Sequence, residues 1–549
     1  MYGFRFPAYR QMVLRMSREE SKKKNIKKQK AEKSDQKDTA ALVLKILFVL
    51  TPCILSLIIM AVKWIAQGYV ALPGIKWNDE AVYIKLIETY SRNLAPKGYW
   101  GFDGNHAILG TGSAWSPAIL APYFIPAIIF PVGYSFVYIC NMVYVTAANA
   151  IFMVLTKPDK KNTLKLILAQ VTSTVFILYL NTNMSEIFRY ALAIVIAGLL
   201  YKMFFDKCPK WLKYVVTPLV IIYAVQVYTF FAFCIPVYVF ALLAKKKLWV
   251  RIAISVAAMG FIATASYGLL HLISSNYNIG KTEALLNAVS EGHIFAAFKS
   301  FLGMMRDGFK GLLDLRYYVR TNGIYIFHVM ITLLIIVSSA LTFFSKSSSE
   351  KDKIIALTSV YSVVIFFLMY LTLYTIVPDT FMRGTEIAVI FCIYLLMMTE
   401  DKYLAWTVIL CNATGLLFLP VNLKNFQGTE RYYRSEVTAE WKSLENELKD
   451  VITIKDSGNP WDNTVMMYTM EPKAILAMPK GLGINFVLNN DFYGSDSEYL
   501  FIPKHSNFRE DWIEHDYSSL MIDHSLSVDY FYEIIYENSG YICYRKKDL

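Results

Sequence analysis

Ala41-Leu42-Val43-Leu44-Lys45-Ile46-Leu47-Phe48-Val49-Leu50-Thr51-Pro52-Cys53-Ile54-Leu55-Ser56-Leu57-Ile58-Ile59-Met60-Ala61-Val62 decides the fold class. As a helix this stretch is long enough for a hydrocarbon core of roughly 30 Å. It is preceded by Arg5, Arg10, Arg15, Arg18, Lys22, Lys23, Lys24, Lys27, Lys28, Lys30, Lys33 and Lys37, against five acids. No small-residue cleavage site follows, and the run is too long for a signal-peptide core. It reads as a retained first transmembrane helix, with residues 1–40 a basic cytoplasmic tail.

Moving outward, apolar runs recur at Tyr134 to Leu155, Leu164 to Leu180, Ile187 to Phe205, Tyr214 to Ala244, Val250 to Ile273, Tyr325 to Phe344, Ile354 to Val377, Ile387 to Met398 and Leu404 to Pro420. With the long fourth run divided into two short spans, the reading is a mainly α, polytopic membrane protein of about eleven transmembrane helices. The positive-inside rule agrees: Lys157, Lys160 and Lys161, Lys207, Lys210 and Lys213, Lys245 to Lys247, and Lys346, Lys351 and Lys353 all fall in loops that parity makes cytoplasmic. Parity then places residues 63–133, the turn Asn181 to Glu186, Ser274 to Gly323, and everything after Pro420 outside the cytoplasm.

Composition says the same. The chain of 549 residues is 55% hydrophobic and 18% charged, with a mean hydropathy of +0.38, which excludes a cytosolic enzyme and a disordered scaffold. The net charge of +12 is concentrated in the tail and inner loops, where it sets topology. From Asn425 to Leu549 the chain is acidic, with 21 Asp and Glu against 12 Lys and Arg, so no nucleic-acid partner is expected. Only Cys543 of the seven cysteines is placed outside, so no intramolecular disulfide forms there, as suits a bacterial envelope protein.

The first outer loop carries the densest chemistry. It reads Lys76-Trp77-Asn78-Asp79-Glu80, then a helical pattern from Ala81 to Asn93, then Tyr99-Trp100-Gly101-Phe102-Asp103-Gly104-Asn105-His106, and ends in Trp115-Ser116-Pro117. Val82, Leu86 and Tyr90 beside Tyr83 and Ile87 give that helix one apolar face. Asp79 at its start favours the helix dipole and also serves as a cap. An Asp-Glu pair among Trp, Tyr, Gly and His just beyond a transmembrane helix is equally what a carbohydrate site at the membrane surface needs. Ala118 to Phe130, broken by Pro122 and Pro126, is too short to cross and reads as a juxtamembrane or re-entrant helix.

Three other outer turns gather polar groups: Glu186 and Arg189, Gln226 and Tyr228 with Thr229, and Asp379, Arg383 and Glu386. Residues Glu283 to Tyr318 read as amphipathic helices on the outer leaflet. The C-terminal segment, residues 421–549, opens with a helix from about Arg431 to Val451 and then alternates short β-rich pieces with turns, a small extracytoplasmic α/β domain. No His-Glu-x-x-His, Cys-x-x-Cys, Gly-x-Ser-x-Gly or phosphate-loop pattern occurs.

On these residues the membrane domain, Ala41 to Pro420, resembles the GT-C superfamily of polytopic membrane glycosyltransferases. The features are the multiple spans, the large first outer loop with Asp79-Glu80, the juxtamembrane helix entered at Ser116-Pro117, and the turn Ser185-Glu186-x-x-Arg189. The resemblance implies transfer of a sugar from a polyprenyl-phosphate donor, outside the cytoplasm, to a cell-envelope acceptor such as a cell-wall glycan, teichoic acid, lipid or protein. Asp79 is the expected general base, and the pair leaves open whether Asp79 or Glu80 takes the proton. Glu186, Asp103 and His106 would orient acceptor or metal, Arg189, Arg383, Tyr228 and Gln226 would hold the donor phosphate, and Trp77, Trp100 and Trp115 would stack on sugar. A divalent cation, Mg or Mn, is possible on Asp79 and Glu186. One carboxylate acting as base predicts inversion at the anomeric carbon. An envelope polysaccharide polymerase or ligase would have a first loop rich in Arg and His, and a lipid-linked glycan transporter would carry ionisable groups along mid-span; here the loop is led by acids.

Overall fold

The computed structural model describes residues 39–66, 68, 71–93, 100–102, 117–243, 246–273, 288–312, 324–373, 378–420, 435–455, 463–486, 497–504, 521–522 and 526–548. The helices run α1 (Thr39–Ala66), α2 (Asn78–Asn93), α3 (Ala121–Ile129), α4 (Phe136–Thr156), α5 (Lys160–Thr172), α6 (Thr174–Leu180), α7 (Glu186–Phe205), α8 (Thr217–Val227), α9 (Cys234–Leu242), α10 (Leu248–Ile273), α11 (Ile294–Leu312), α12 (Ile324–Phe344), α13 (Glu350–Leu373), α14 (Pro378–Leu396) and α15 (Lys402–Gly415). Five of these are long and apolar enough to cross a membrane, and α5 with α6, bent by 66° at their break, make a sixth if taken together. The architecture is that of a mainly α, multi-pass membrane protein.

The described part of each apolar run is mainly helical, but among the described residues the expected eleven or so spans do not appear as eleven continuous helices. Breaks shorten several of them. The long run divides, as expected, into α8 and α9, joined by the 3-10 turn Thr229–Phe233. Asp379, Arg383 and Glu386 belong to α14 itself, where a turn was expected. Pro378 supplies the first residue of that helix, where a missing N–H costs nothing.

Helix α7 is the hub, buried almost all round, as an α-helix apolar on every face must be. It packs along α4 on one side and α14 on another, and α13 lies between α12 and α14. Helix α3 is nine residues long with Pro126 inside it, so it does not cross. Helix α11 leaves Ile294, Phe295, Phe298 and Phe309 exposed while Gly308 lies against the backbone of Leu371.

The C-terminal chain forms α16 (Ser435–Val451), β2 (Thr464–Met467), α17 (Pro472–Ala477), β3 (Gly483–Phe486), β4 (Tyr499–Pro503), β7 (Tyr532–Glu537) and β8 (Tyr541–Lys546), with β5 (Met521–Ile522), β6 (Leu526–Ser527) and α18 (Val528–Phe531) beside them. Its six-stranded sheet has the order β1-β3-β2-β4-β8-β7. Strand β1 is Trp100–Phe102, from the first loop, paired parallel with β3 in the register Trp100 to Ile484 and Phe102 to Phe486. The sheet is therefore completed by a strand that lies more than three hundred positions earlier in the chain. Strands β2 and β4 are buried along their whole length, which explains their unbroken apolar sequence.

Helix α2 lies between the helices α3 and α4 and the C-terminal helix α17. Residues 81–88 are all buried, including Lys85, whose Nζ donates to the Met478 carbonyl at 2.7 Å and to Glu88 at 3.1 Å. The single apolar face read from the sequence is thus an incomplete account. Membrane helices cover one side of α2, and α17 packs on it from the C-terminal chain.

Candidate active site

The site begins with the way α2 starts. Glu80 is 0% exposed, and its Oε2 accepts from the backbone N–H groups of Lys76 at 2.8 Å and Trp77 at 2.9 Å. Its Oε1 accepts from the Asn183 N–H at 2.7 Å. A first-turn glutamate reaching back to the chain before its helix is half of a capping box, here extended to the turn between α6 and α7. Asn183 continues the stitch, donating to the carbonyls of Gly74 and Tyr134 at 2.9 Å each and accepting from Tyr138 N–H. Glu80 thus fixes three segments together, and Asp79, one residue earlier, faces α7 and α14.

There Asp79 meets charges from two other helices. One nitrogen of Arg383, Nη1, lies 3.6 Å from Asp79 Oδ2 and 3.8 Å from Glu186 Oε1. Glu186 Oε1 is also 3.6 Å from Arg189 Nη1. Arg189 donates to Ser185 Oγ at 3.2 Å, and its guanidinium lies 4.6 Å from the centre of the Tyr228 ring. Ser185 in turn donates to the Tyr83 hydroxyl at 3.4 Å. Two carboxylates and two guanidiniums make a cluster with no formal net charge, as burial of ions demands.

The cluster has an open and a closed side. Asp79 and Arg383 keep 22% and 25% of their side chains exposed, Glu186 and Arg189 only 1% and 8%. Asp79 and Arg383 are thus where a ligand can touch, and the other pair supports them from behind. Glu186 Oε2 and Arg189 Nε are buried without a hydrogen-bond partner, which leaves one acceptor and one donor for a bound molecule or water. Burial lifts the Asp79 carboxyl above its usual range; the charge of Arg383 opposes the rise and that of Glu186 adds to it. Desolvation prevails although part of the side chain is open, because protein crowds the remaining directions. Burial likewise pushes the Tyr83 hydroxyl up, with Glu186 and Asp79 adding to the effect.

A second polar set backs α14. Glu386, one turn after Arg383, accepts from Ser173 Oγ at 2.7 Å and from the backbone N–H of Phe176, and lies 3.5 Å from His328 Nδ1. Ser173 is the break between α5 and α6. A side chain inserted into the backbone ladder is a recognised cause of a kink, and here it ties that kink to the helix that carries Arg383. The Tyr190 hydroxyl donates to the Arg383 carbonyl at 3.1 Å. At Gly384 an added Cβ would meet Tyr370 Cε2 at 2.7 Å and the Tyr228 hydroxyl at 3.1 Å, so α14 approaches through the absence of a side chain.

Of the residues singled out from the sequence, Asp79, Glu186, Arg189, Arg383 and Tyr228 come together. Gln226 stands on the last turn of α8, two residues before Tyr228. Glu80 is adjacent in sequence but engaged with backbone, a structural group. Trp77 is half-buried, with its ring centroid 6.1 Å from that of Tyr179. Trp100 sits on β1 at the sheet edge. Asp103, His106 and Trp115 lie outside the described residues. Sequence reasoning gave no site role to Tyr83, Tyr190, Ser173 or His328, and it named Ser185 and Glu386 without their partners. Spacing on α14 places Glu386 one turn beyond Arg383, but that signal appears only once the segment is known to be helical.

Among the described residues, the site does not fit a divalent cation bridging Asp79 Oδ2 and Glu186 Oε1. Asp79 and Glu186 are the carboxylates such an ion would need, yet the Arg383 guanidinium fills the gap between them. Among the described residues no group of three or more His, Cys, Asp or Glu side chains is arranged to hold a metal.

No family model matches the chain, and no curated protein matches its sequence. Solved structures do. The chain is similar to the Archaeoglobus fulgidus oligosaccharyltransferase complexed with Zn and sulfate, with 13% identity, 84% of this chain and 68% of that one covered, and a TM-score of 0.48. It is similar to the oligosaccharyltransferase AglB of the same archaeon in complex with an inhibitory peptide and a dolichol-phosphate, at 11% identity, 84% and 69% coverage and TM-score 0.47. It is also similar to ArnT from Cupriavidus metallidurans bound to undecaprenyl phosphate, at 9% identity, 90% and 98% coverage and TM-score 0.34. The chain spans about two thirds of the length of the archaeal proteins, and at these identities and scores no residue role carries across.

Proposed function

We propose that the chain is a membrane glycosyltransferase that moves a sugar from a polyprenyl-phosphate donor to a hydroxyl of a cell-envelope acceptor on the extracytoplasmic side. The observation that carries this reading is the open Asp79–Arg383 pair, 3.6 Å apart, backed by buried Glu186 and Arg189. Asp79 takes the proton of the acceptor hydroxyl as the acceptor oxygen bonds to the anomeric carbon. The bond from that carbon to the phosphate oxygen breaks, and its electron pair leaves on polyprenyl phosphate. Arg383 and Arg189 hold the departing charge by charge-assisted hydrogen bonds. Glu186, through its unpartnered Oε2, accepts from a sugar or acceptor hydroxyl.

Donor phosphate and Asp79 compete for Arg383. A phosphate that draws the guanidinium away strips Asp79 of the charge that holds its carboxyl down, so donor binding makes the base stronger. One carboxylate that acts only as a base leaves a single displacement and an inverted product.

The test is sugar transfer by purified protein in liposomes, offered a panel of polyprenyl-phosphate sugars and envelope acceptors. Asp79→Asn is expected to lower kcat by roughly 10²–10⁴-fold, and the anomeric configuration of the product to be the reverse of the donor's. A panel that yields no transfer, or transfer untouched by Asp79→Asn, overturns the proposal.

A further inference from the structure

We infer that Arg383 stands where a divalent cation would otherwise bridge the two site carboxylates, and that the chain works at this position without a metal. The inference rests on the glycosyltransferase reading for its purpose but on geometry for its content. One atom, Arg383 Nη1, is within 3.6 Å of Asp79 and 3.8 Å of Glu186. A hard cation needs carboxylate oxygens at about 2.0–2.6 Å and a shell of further oxygens, and an ion bridging Asp79 Oδ2 and Glu186 Oε1 would take the place of Arg383 Nη1.

Charge and packing both support the assignment. Asp79 and Glu186 are already matched by two guanidiniums, and the neighbouring Glu80 is engaged by backbone N–H groups, so among the described residues a dication added here would sit beside two positive groups. The arginine is also built in. Its carbonyl receives the Tyr190 hydroxyl, and Gly384 lets its helix close on the rings of Tyr370 and Tyr228. A guanidinium fixed in this way performs both tasks of a bridging cation, since it holds the acids apart and presents positive charge at the open edge. It differs in one respect: it can leave Asp79 for a phosphate without leaving the protein.

The experiment is Mn²⁺ binding to the full chain in nanodiscs, followed by electron paramagnetic resonance after chelation, with donor turnover measured beside it. The wild type is expected to show no saturable Mn²⁺ site and unchanged turnover in chelator. Arg383→Ala, and Arg383→Met as a variant that keeps the stem packing, are expected to gain one Mn²⁺ site that a further Asp79→Asn removes. A wild-type Mn²⁺ site abolished by Asp79→Asn overturns the inference, as does failure of both folded Arg383 variants to gain one. Absence of transfer from any donor would sink the glycosyltransferase reading alone, because the binding result is read without turnover.

Discussion

Glu80 and Asp79 are neighbours of the same charge, and the structure assigns them opposite duties, so exchanging each for its amide separates architecture from chemistry. The Glu80 carboxylate accepts three backbone N–H groups, from Lys76, Trp77 and Asn183, and is fully buried. In Glu80→Gln the remaining oxygen best keeps Lys76 and Trp77, which turns the new NH₂ towards the Asn183 N–H. That sets two buried donors, the new NH₂ and the Asn183 N–H, against each other, at about 1–3 kcal/mol, and each of the two surviving bonds loses its charge assistance, roughly 1 kcal/mol apiece. The expected destabilisation is therefore about 3–5 kcal/mol, and Glu80→Ala, which also opens a cavity, costs about 5 kcal/mol or more. Asp79→Asn removes one ion pair, but it also removes a carboxylate whose ionisation burial opposes, so stability changes by no more than about 1 kcal/mol. The assay is thermal unfolding in detergent, with transfer measured per folded molecule. Glu80→Gln is expected to melt well below wild type while folded molecules keep turnover within about tenfold, and Asp79→Asn to melt with wild type while turnover collapses. A Glu80→Gln protein of normal stability with no turnover, or an Asp79→Asn protein with full turnover, would refute this division of labour.

Further expectations concern the charges and packing around that pair. Asp79 acts ionised and its carboxyl is raised, so activity rises with pH through a midpoint above the usual carboxylate value of about 4; because donor phosphate draws Arg383 away, the acid limb of kcat lies at higher pH than that of kcat/KM. Equal midpoints in the two profiles would sink the competition for Arg383. Arg189→Met leaves the buried Glu186 without its nearer counter-charge, at roughly 3–5 kcal/mol, whereas Tyr228→Leu, which keeps an apolar group beside Phe230, gives up the cation–π contact at about 1–2 kcal/mol; chemical unfolding should rank the two in that order. Gly384→Ala places a methyl 2.7 Å from the Tyr370 ring and is expected to cost about 1–3 kcal/mol and to raise KM for donor by moving Arg383, so unaltered KM and stability would show that α14 has room to spare.

The sequence alone determined the membrane class, the helical runs, and the leading helix and β-rich character of the C-terminal segment, because hydrophobic length and period are local properties of the chain. It also placed acids and arginines at the ends of the right elements. It did not separate Asp79 from Glu80, since successive helix residues point about 100° apart and only the surroundings of α2 say which direction is backbone and which is open. Nor did it show that α2 is covered on both sides, because one cover is α17, nearly four hundred residues away in the chain. The sequence reading puts Arg383 in a turn, whereas its placement depends on Tyr190 tying α14 to α7, Gly384 letting α14 close on Tyr370 and Tyr228, and Glu386 tying it to Ser173. Charge pairing between Asp79, Glu186 and Arg383 joins three helices that are distant in sequence. Local pattern carries no information on which distant ends meet; packing in the bundle settles it, and with it which carboxylate faces a ligand.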